Sequence, residues 1–531
     1  MMTLLDYGAG NVRSVINAIE RLGETVSLVN SPADIDRAER LVFPGVGNFG
    51  ALMHTLRDKG LREPLLRYLR SGKPFFGICV ALQALFESSD EAPDEPGLGL
   101  FPGRVQRFAC DLAIPHIGWN GIKAHQASPL FHGLAGNEKF YFVHSYHVIP
   151  VQCDDILTTT DYGHEFVSAI QRGAMVATQF HPEKSGRAGL KLLENFLAGD
   201  RKAVCLSACP TTTTLAKRII ACLDVRANDR GDLVVTKGDQ YDVREEGAVR
   251  NLGKPVQLAG DYYEQGADEI TFLNITGFRD FPLQDMPMLE VLEQTSKNVF
   301  VPLTIGGGIR DFTDRDGRFS SALEVAARYF RSGADKISIG SDAVLIVEEV
   351  LQTGKATGLS SIEQIARVYG NQAVVISIDP RRVYVSDPDA VPHVVIATRF
   401  PGPNGEQYCW YQCTIRGGRE GRPVDAVTLA LVCEQLGAGE ILLNCIDKDG
   451  TNSGFDIELI NAVRSAVTIP VIASSGAGNA RHFLDVFTET QAEAALAAGI
   501  FHRKELPIGE VKEYLRDKVE IRPLCSSSDL I

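Results

Sequence analysis

The stretch Gly77-Ile78-Cys79-Val80-Ala81-Leu82-Gln83 follows an apolar run at 74–76 and opens a helical segment. A cysteine at a turn between a strand and a helix gains two chemical advantages. The helix N-terminus stabilises the thiolate, and the backbone N–H groups that follow it face a developing oxyanion. The motif alone is equally typical of a small buried cysteine. It predicts a strand–turn–helix unit of an α/β fold with Cys79 as candidate nucleophile.

The same alternation extends over the first 200 residues. Apolar runs at 40–43, 74–78 and 175–180 are separated by helical stretches, which is typical of an α/β domain. Residues 198–214 then lose all periodicity and contain four consecutive threonines, two cysteines and a proline. We therefore predict a first domain at 1–200, a linker at 201–214, a second domain at 215–523 and a tail at 524–531.

The second domain repeats one unit eight times. Apolar strand candidates lie at 218–223, 269–274, 300–305, 335–340, 373–378, 440–446, 469–473 and 494–498. Most are separated by helical segments, and eight strands alternating with helices over about 300 residues predict a (β/α)8 barrel. The longer connection at 380–425 contains its own strand-like pieces and predicts a hairpin insertion.

A second motif of the first domain supports the cysteine. The segment Gln179-Phe180-His181-Pro182-Glu183-Lys184 ends a strand about 100 residues later. His181 can act as general base toward Cys79, and Glu183 can hold the imidazole tautomer, as the third member of a triad does. These residues together favour catalysis over a structural histidine.

A third motif is Pro44-Gly45-Val46-Gly47-Asn48. Glycines allow the backbone to turn tightly and to approach a ligand. An ordinary strand-to-loop turn would have the same composition. Because Val46 lies between two glycines, a peptide flip is possible here, and we expect the oxyanion hole to assemble only when substrate occupies the barrel.

These motifs, together with 115–120 and 141–146, resemble those of class I glutamine amidotransferases, specifically the glutaminase part of imidazole glycerol phosphate synthase. The resemblance implies a flavodoxin-like α/β domain with Cys79 as nucleophile, His181 as base and Glu183 as its orienting group. It assigns the oxyanion hole and the glutamine site to Gly45, Val46, Gly47, Val80, Gln83, Ser145 and Tyr146. One departure is Ala81, where the family usually has glycine, which tightens the space near the thioester.

Two aspartates of the second domain end opposite strands of the predicted barrel. Asp224 ends the first strand and Asp379 ends the fifth. Catalytic groups of such barrels lie at the C-terminal ends of strands, and two carboxylates facing each other can serve as acid and base. The sequence does not separate this reading from two solvated or helix-capping aspartates, and it does not assign acid and base.

Glycine-rich turns follow four of the strands, and they expose backbone amides that bind phosphate. They lie on two opposite rims, which predicts a long substrate with a phosphate at each end. The turns are Gly306-Gly307-Gly308, Gly340-Ser341, Gly476-Ala477-Gly478 and Ala498-Gly499.

The other end of the barrel carries four charges. Arg218, Glu269, Lys336 and Glu440 start the first, second, fourth and sixth strands. Buried charges need partners, so two positive and two negative residues can close a ring across the barrel floor. In an isolated barrel such a ring is a stabilising salt-bridge layer; below a glutaminase it can gate ammonia.

The barrel resembles the cyclase half of imidazole glycerol phosphate synthase. The whole chain resembles the fused, eukaryotic-type members of that family, which are bifunctional enzymes of histidine biosynthesis. The motifs lie at 215–225, 234–238, 304–309, 379–383, 437–451 and 472–478. The resemblance implies that ammonia from glutamine crosses the barrel and attacks PRFAR, a linear bis-phosphorylated ribulosyl-formimino aminoimidazole carboxamide ribotide. The products are imidazole glycerol phosphate and the ribotide AICAR.

The resemblance also implies roles for single barrel residues. Asp224 and Asp379 form the acid/base pair, Lys237 closes over the substrate, and Asp449 orients the pocket. Ser475 replaces a glycine that is common in single-chain relatives. The substrate and phosphate positions are Lys237, Gly308, Gly340, Ser341, Asp449, Gly450, Ser474, Gly476, Ala498 and Gly499.

Composition excludes several classes of function. A net charge of −14 disfavours nucleic-acid binding, and no run of 18 apolar residues indicates a membrane span. Eleven scattered cysteines indicate a reduced, intracellular protein without a metal site. Because a strand pattern begins at residue 2, we expect no targeting peptide and a cytoplasmic location; a plastid location would require a transit peptide that has been removed. We also expect a monomer that needs no cofactor.

Two other functions compete with this interpretation. A glutaminase fused to a pyridoxal-phosphate synthase barrel would need a Schiff-base lysine at a strand end, whereas Lys237 lies in a loop and Lys336 at a strand start. A non-enzymatic scaffold with an inactive glutaminase domain would not need to keep Cys79, His181 and Glu183.

Overall fold

A computed structural model describes most of the chain. The described residues are 1–8, 10–45, 47–199, 201–206, 213–227, 233–236, 244–245, 248–249, 254–275, 286–313 and 317–524. Val46 and Lys237, both predicted site residues, lie outside them. Within these ranges no helix is long and apolar enough to cross a membrane.

The first domain is built on a large mixed sheet. Its parallel half runs in the order Val26–Leu28, Met2–Leu4, Leu41–Phe43, Phe75–Ile78 and Met175–Thr178. Its antiparallel half continues through Glu165–Arg172, Tyr146–Pro150 and Gly103–Arg107, with Ile156–Asp161 and Lys123–Ala124 at the side. The edge strand Ser88–Ser89 pairs with Gly103–Arg107 in parallel. A separate hairpin pairs His116–Asn120 with Phe140–His144. The short central strands are fully buried, as their unbroken apolar sequences require.

Helices cover both faces of this sheet. They span Val12–Arg21, Pro32–Arg37, Phe49–Asp58, Arg62–Arg70, Val80–Ala84 and Gly186–Ala198, with 3-10 turns at Pro129–Phe131 and Pro182–Lys184. Local sequence fixes where they begin: the side chains of Asn11 and Asn48 accept the backbone N–H groups of Ser14 and Ala51 as N-caps.

The second domain is a closed barrel of eight parallel strands. They are Arg218–Ala227, Glu269–Asn274, Leu303–Gly306, Lys336–Ile339, Val374–Ile378, Glu440–Asn444, Val471–Ser474 and Ala494–Ala497, and the last pairs with the first. The predicted α/β domain followed by a (β/α)8 barrel is thus confirmed. The third strand starts three residues later than predicted, after Pro302, which has no backbone N–H for a ladder.

Helices surround the barrel. They span Pro255–Glu264, Met286–Thr295, Ala322–Ser332, Ser341–Thr353, Ser361–Tyr369, Ala426–Gln435, Ile457–Ala466, Ala480–Glu489, Gly499–His502 and Ile508–Leu515, with 3-10 turns at Asn371–Ala373 and Pro388–Ala390. Short strands at Leu233–Thr236, Arg244–Glu245, Ala248–Val249, Phe312–Thr313 and Phe319–Ser320 lie in the connections.

The predicted hairpin insertion is larger than one hairpin. It forms a four-stranded antiparallel sheet from Pro380–Val385, Val395–Ala397, Tyr408–Ile415 and Glu420–Asp425. Thr414 donates its backbone N–H and its hydroxyl to the carbonyl oxygen of Asp379, at 3.1 and 2.6 Å. The insertion therefore fixes the backbone at the end of the fifth barrel strand.

The first domain docks on the N-terminal end of the barrel. Trp119 is fully buried and its indole donates to the carbonyl of Asp268, at 3.1 Å. Lys184 forms an ion pair with Asp335 at 2.7 Å, and Asn11 donates to the same carboxylate at 2.8 Å. Asp268 and Asp335 immediately precede the second and fourth barrel strands. The first domain thus covers the end of the barrel opposite the strand C-termini.

Candidate active sites

Cys79 occupies a strained turn of the first domain. Its φ of 55° and ψ of −109° place it between the strand Phe75–Ile78 and the helix Val80–Ala84. Few residues other than glycine adopt a positive φ, and such strain is found where a side chain must be aimed. Gly45 lies against this turn, since a Cβ built on it would stand 2.5 Å from both Ile78 O and Ala81 N.

His181 and Glu183 form a buried pair next to this cysteine. The distance between His181 Nδ1 and Glu183 Oε1 is 2.8 Å, and both side chains are almost inaccessible to solvent. Burial disfavours the imidazolium, but the charges of Glu183 and Cys79 outweigh it and hold the pKa of His181 well above its usual value. The pair can therefore accept the thiol proton of Cys79.

A chain of amides reaches the sulfur from the other side. Gln179 Nε2 lies 3.4 Å from Cys79 Sγ, while Gln83 Nε2 donates to Gln179 Oε1 at 3.2 Å and to Tyr146 O at 3.0 Å. The structure thus brings the predicted Gln83 and Tyr146 to the cleft and adds Gln179. Ser145 behaves differently, because its hydroxyl donates to Asn371 Oδ1 of the barrel at 3.2 Å.

Glu91 was not singled out from the sequence. Its Oε2 accepts the backbone N–H of Phe49 at 2.8 Å, beside the loop that contains Gly47, and its charge acts on the hydroxyl of Tyr146. Burial raises its pKa to about 7 against two hydrogen bonds that lower it. A carboxylate with a shifted pKa beside a catalytic cleft is a candidate binding group.

The backbone amide after the cysteine already has a partner. Val80 N–H donates to the carbonyl oxygen of Gly45, at 3.4 Å. An amide directed at a protein carbonyl does not face the sulfur's reaction site. Gly47 packs against the barrel, since a Cβ on it would lie 3.2 Å from Val368 O.

The four charges predicted at the barrel floor form a closed ring. Arg218 pairs with Glu269 at 2.9 Å and also with Glu440, and Lys336 pairs with the same two carboxylates at 2.7 and 2.6 Å. All four side chains are essentially without solvent exposure. Burial raises the pKa of Glu440, but the charges of Arg218 and Lys336 lower it more, so the carboxylate of Glu440 is held ionised.

Tyr141 lies between this ring and the triad. Its carbonyl accepts the backbone N–H of His181 at 2.9 Å. Its hydroxyl is fully buried, and burial together with the charge of Glu269 raises its pKa well above the usual value. On the other side of the ring, an apolar cluster fills the barrel interior: Ile220, Cys222, Val375, Leu442, Ile472, Ala494 and Leu496.

A cavity of about 800 Å³ opens at the strand C-termini. It brings together most of the predicted barrel site: Asp224, Gly308, Gly340, Ser341, Asp379, Asp449, Gly450, Ser474, Gly476, Ala498 and Gly499. Arginines that were not predicted from the sequence also line it, among them Arg416 and Arg419 of the insertion. The described residues that line the cavity include no lysine.

The turn before Gly476 has a conformation that favours glycine. Ser475, where the resemblance implies a glycine, adopts a φ of 74°, in the left-handed region. Gly476 itself admits no side chain, because a Cβ would lie 2.2 Å from Gly454 O. The turn therefore keeps the shape of a glycine-rich anion site. Among the described residues, no cluster of His, Cys, Asp or Glu side chains has a metal-binding arrangement.

Comparisons with known proteins match both halves. The family model "Glutamine amidotransferase class-I" matches residues 3–199, and the model "Histidine biosynthesis protein" matches residues 218–507. The chain is 60% identical over 530 residues to imidazole glycerol phosphate synthase hisHF, chloroplastic, of Arabidopsis thaliana, an alignment covering 98% of this chain and 89% of the relative. The chain belongs to the imidazole glycerol phosphate synthase family.

Two further imidazole glycerol phosphate synthases hisHF show the same span. Those of Schizosaccharomyces pombe and Emericella nidulans are each 56% identical, over 97% of this chain and 98% and 97% of their own lengths. The predicted bifunctional enzyme of histidine biosynthesis, with a glutaminase and a cyclase domain in one chain, is thereby confirmed.

Proposed function

We propose that this chain hydrolyses glutamine at Cys79, passes ammonia through the charged ring, and uses it on PRFAR in the barrel cavity to form imidazole glycerol phosphate and AICAR. The observation that carries the proposal is the order of the three features: Tyr141 links the triad to the ring on one side, and the cavity opens at the opposite, C-terminal end of the barrel strands. Each of the three alone is compatible with other chemistry. The following assignments to single residues belong to the same proposal.

In the glutaminase step, the sulfur of Cys79 attacks the amide carbon of glutamine while His181 accepts the thiol proton. The C–N bond then breaks, and His181 returns the proton to the leaving nitrogen, which departs as ammonia. Water hydrolyses the thioester to glutamate. Glu183 keeps Nδ1 of His181 protonated and its Nε2 directed at the sulfur.

Glutamine also carries charges that the cleft must recognise. Glu91 is the carboxylate beside the loop at 45–49, and it would bind the α-ammonium group. Gln83 and Tyr146 would contact the substrate from the opposite wall, where Gln83 is already oriented by hydrogen bonds.

The oxyanion hole would assemble only in the loaded enzyme. Val80 N–H must leave the Gly45 carbonyl before it can bind an oxyanion, and the flanking glycines permit the required peptide rotation. The contact of Gly47 with the barrel supports a link between barrel occupancy and this rotation.

In the barrel, Asp224 and Asp379 would exchange protons with PRFAR during ring closure and cleavage. The turns at Gly308, Gly340 and Ser341 would bind one phosphate, and those at Ser474, Gly476, Ala498 and Gly499 the other. Lys237 would close over the substrate, and Asp449 and Gly450 would shape the pocket.

The ring separates the two sites and would admit ammonia. The neutral molecule tolerates the apolar barrel interior beyond the ring, whereas ammonium would need compensating charge there. We place the glutaminase domain at 1–200, the linker at 201–214, the cyclase domain at 215–523 and the tail at 524–531. The working unit would be a monomer.

The compartment is proposed as the cytoplasm, with the plastid as the alternative. The Arabidopsis relative is named chloroplastic. Imaging a fluorescent fusion of the gene's complete product would separate the two.

Two nitrogen sources test the proposal. Cys79→Ala should abolish glutamine-dependent product formation, by at least 1000-fold, and leave ammonium-dependent turnover intact. Loss of both would contradict the channel.

The barrel assignment has its own test. Asp224→Asn and Asp379→Asn should each reduce cyclase turnover at least 100-fold even with ammonium supplied, because no carboxylate then exchanges the proton. Retained turnover of PRFAR in either variant would remove that residue from the acid/base pair.

A further inference from the structure

Two polar side chains contact one oxygen of Asp379. Asn444 Nδ2 donates to Asp379 Oδ1 at 2.8 Å, and Ser377 Oγ lies 3.5 Å from the same oxygen. Asn444 Nδ2 also donates to Ser377 Oγ at 3.0 Å. Among the described residues, these are the side chains that hydrogen-bond the carboxylate, and both approach Oδ1.

The placement follows from the barrel register. Ser377 and Asp379 are two residues apart at the end of the fifth strand, and Asn444 ends the sixth strand, which pairs with the fifth in parallel. All three side chains line the substrate cavity. With the carbonyl of Asp379 held by Thr414, both the backbone and one carboxylate oxygen are fixed, and Oδ2 is left for the cavity.

We propose that Asn444 is a positioning residue of the cyclase reaction, which fixes the rotamer of Asp379 and sets its basicity by donating to Oδ1, with Ser377 as the weaker second donor. This inference rests on the proposed function, because it assumes that Asp379 exchanges a proton with the substrate.

The electrostatics of the site agree with this role. Burial raises the pKa of Asp379, the hydrogen bonds from Asn444 and Ser377 lower it, and the charge of Asp449 raises it. The hydrogen bond from Asn444 therefore counteracts the effect of burial on the pKa of Asp379 and keeps the carboxylate available for proton exchange. An amide has no charge of its own to titrate, so its effect is constant over the working pH range.

Removal of a donor must raise the pKa of Asp379. The limb of the pH–rate profile that reports Asp379 then moves to higher pH, whether the ionised or the protonated form is the active one. A graded series of variants follows: Ser377→Ala removes the longer contact, Asn444→Leu removes the shorter one with the same number and branching of side-chain heavy atoms, and Asn444→Asp adds a second carboxylate beside the first.

The experiment measures ammonium-dependent turnover of PRFAR by the full-length chain between pH 5.5 and 9.5. We expect the Asp379 limb to rise in the order wild type, Ser377→Ala, Asn444→Leu, Asn444→Asp, with a shift of about one pH unit for Asn444→Leu. For Asn444→Leu, kcat should fall about tenfold while KM for PRFAR changes less than threefold, since a misoriented carboxylate affects the reaction more than substrate binding. Ser338→Ala, another cavity hydroxyl on a different strand, should leave the limb in place.

An unmoved limb in Asn444→Leu and Asn444→Asp, or a rise in KM alone, would overturn the inference. Unfolding is distinguished from it by glutamine hydrolysis and by the thermal midpoint, and Ser377→Ala gives the second measurement if Asn444→Leu does not fold. If Asp379→Asn retains turnover, the proposed function fails first; if Asp379→Asn is inactive and the limb does not move, only the role of Asn444 fails.

Discussion

Glu91, the proposed ligand of the glutamine ammonium group, carries a buried carboxyl that destabilises its domain when it is ionised. Its carboxyl has a pKa raised by burial from 4.5 to about 7. A carboxyl with a raised pKa favours folding below its unfolded pKa, and that contribution is lost as the pH rises through the folded value. At pH 8 the buried charge costs at most about 3 kcal/mol of folding free energy.

We therefore expect Glu91→Gln to stabilise the chain by about 1–3 kcal/mol at pH 8 and by much less at pH 5. The glutamine oxygen still accepts the N–H of Phe49, so no buried donor is orphaned. Thermal unfolding at the two pH values measures this, and glutamine-dependent assays should show a raised KM with ammonium-dependent turnover unchanged. The exposed Glu63→Gln is the control, expected within 0.5 kcal/mol of the wild type; equal effects of both variants would contradict the argument.

At this scale the sequence predicted the residues with distinctive chemistry and missed those that act through contact. Cys79, His181 and Glu183 are recognisable because each has an unusual neighbour in the sequence. Gln179 and Asn444 are not, since an amide acquires its role only when folding brings it to a sulfur or a carboxylate 65–100 residues away.

The turn after the strand Phe75–Ile78 holds the proposed nucleophile Cys79. Its strained cysteine is tolerated because the loop at Gly45 fits against it without a side chain. The motifs at 44–48 and 77–83 predicted the elements, but not the contact between them. A contact between two segments that are far apart in the sequence cannot be predicted from the spacing of residues within either segment.

We expect Gly45→Ala to reduce glutamine hydrolysis at least 100-fold and to destabilise the chain by about 1–3 kcal/mol. The new Cβ would lie 2.5 Å from two backbone atoms of the turn, which cannot move without displacing Cys79. Steady-state glutaminase rates and thermal unfolding measure the two effects. Gly260→Ala, where a Cβ meets open space within a helix, is the matched control and should cost nothing in either assay. Normal hydrolysis by Gly45→Ala would show that the turn adapts.

For the whole molecule, the fold was predictable because apolar strands recur eight times, and the ring because its charges begin those strands. The docking of the two domains was not. It depends on pairs such as Lys184 with Asp335 and Trp119 with Asp268, in which each member is an ordinary residue of its own domain. The partner of each residue belongs to the other domain, so the pairs are identified only from the structure of the two domains together.

The ring is a set of buried ion pairs and also the proposed path of ammonia, so one variant tests both stability and coupling. Lys336→Met leaves Glu269 and Glu440 with Arg218 as their only basic partner in the ring, and an uncompensated buried carboxylate costs about 3–5 kcal/mol. Water that enters to solvate it opens the floor, and ammonia escapes. We expect the ratio of glutamate to imidazole glycerol phosphate formed to rise above one, while turnover with added ammonium persists.

Arg464→Gln is the control, because it breaks a partly buried ion pair with Glu493 outside the ring. It should also destabilise the chain yet keep the ratio of glutamate to imidazole glycerol phosphate at one. If Lys336→Met is destabilised but still delivers every ammonia to product, the ring is a structural layer and the path of ammonia lies elsewhere.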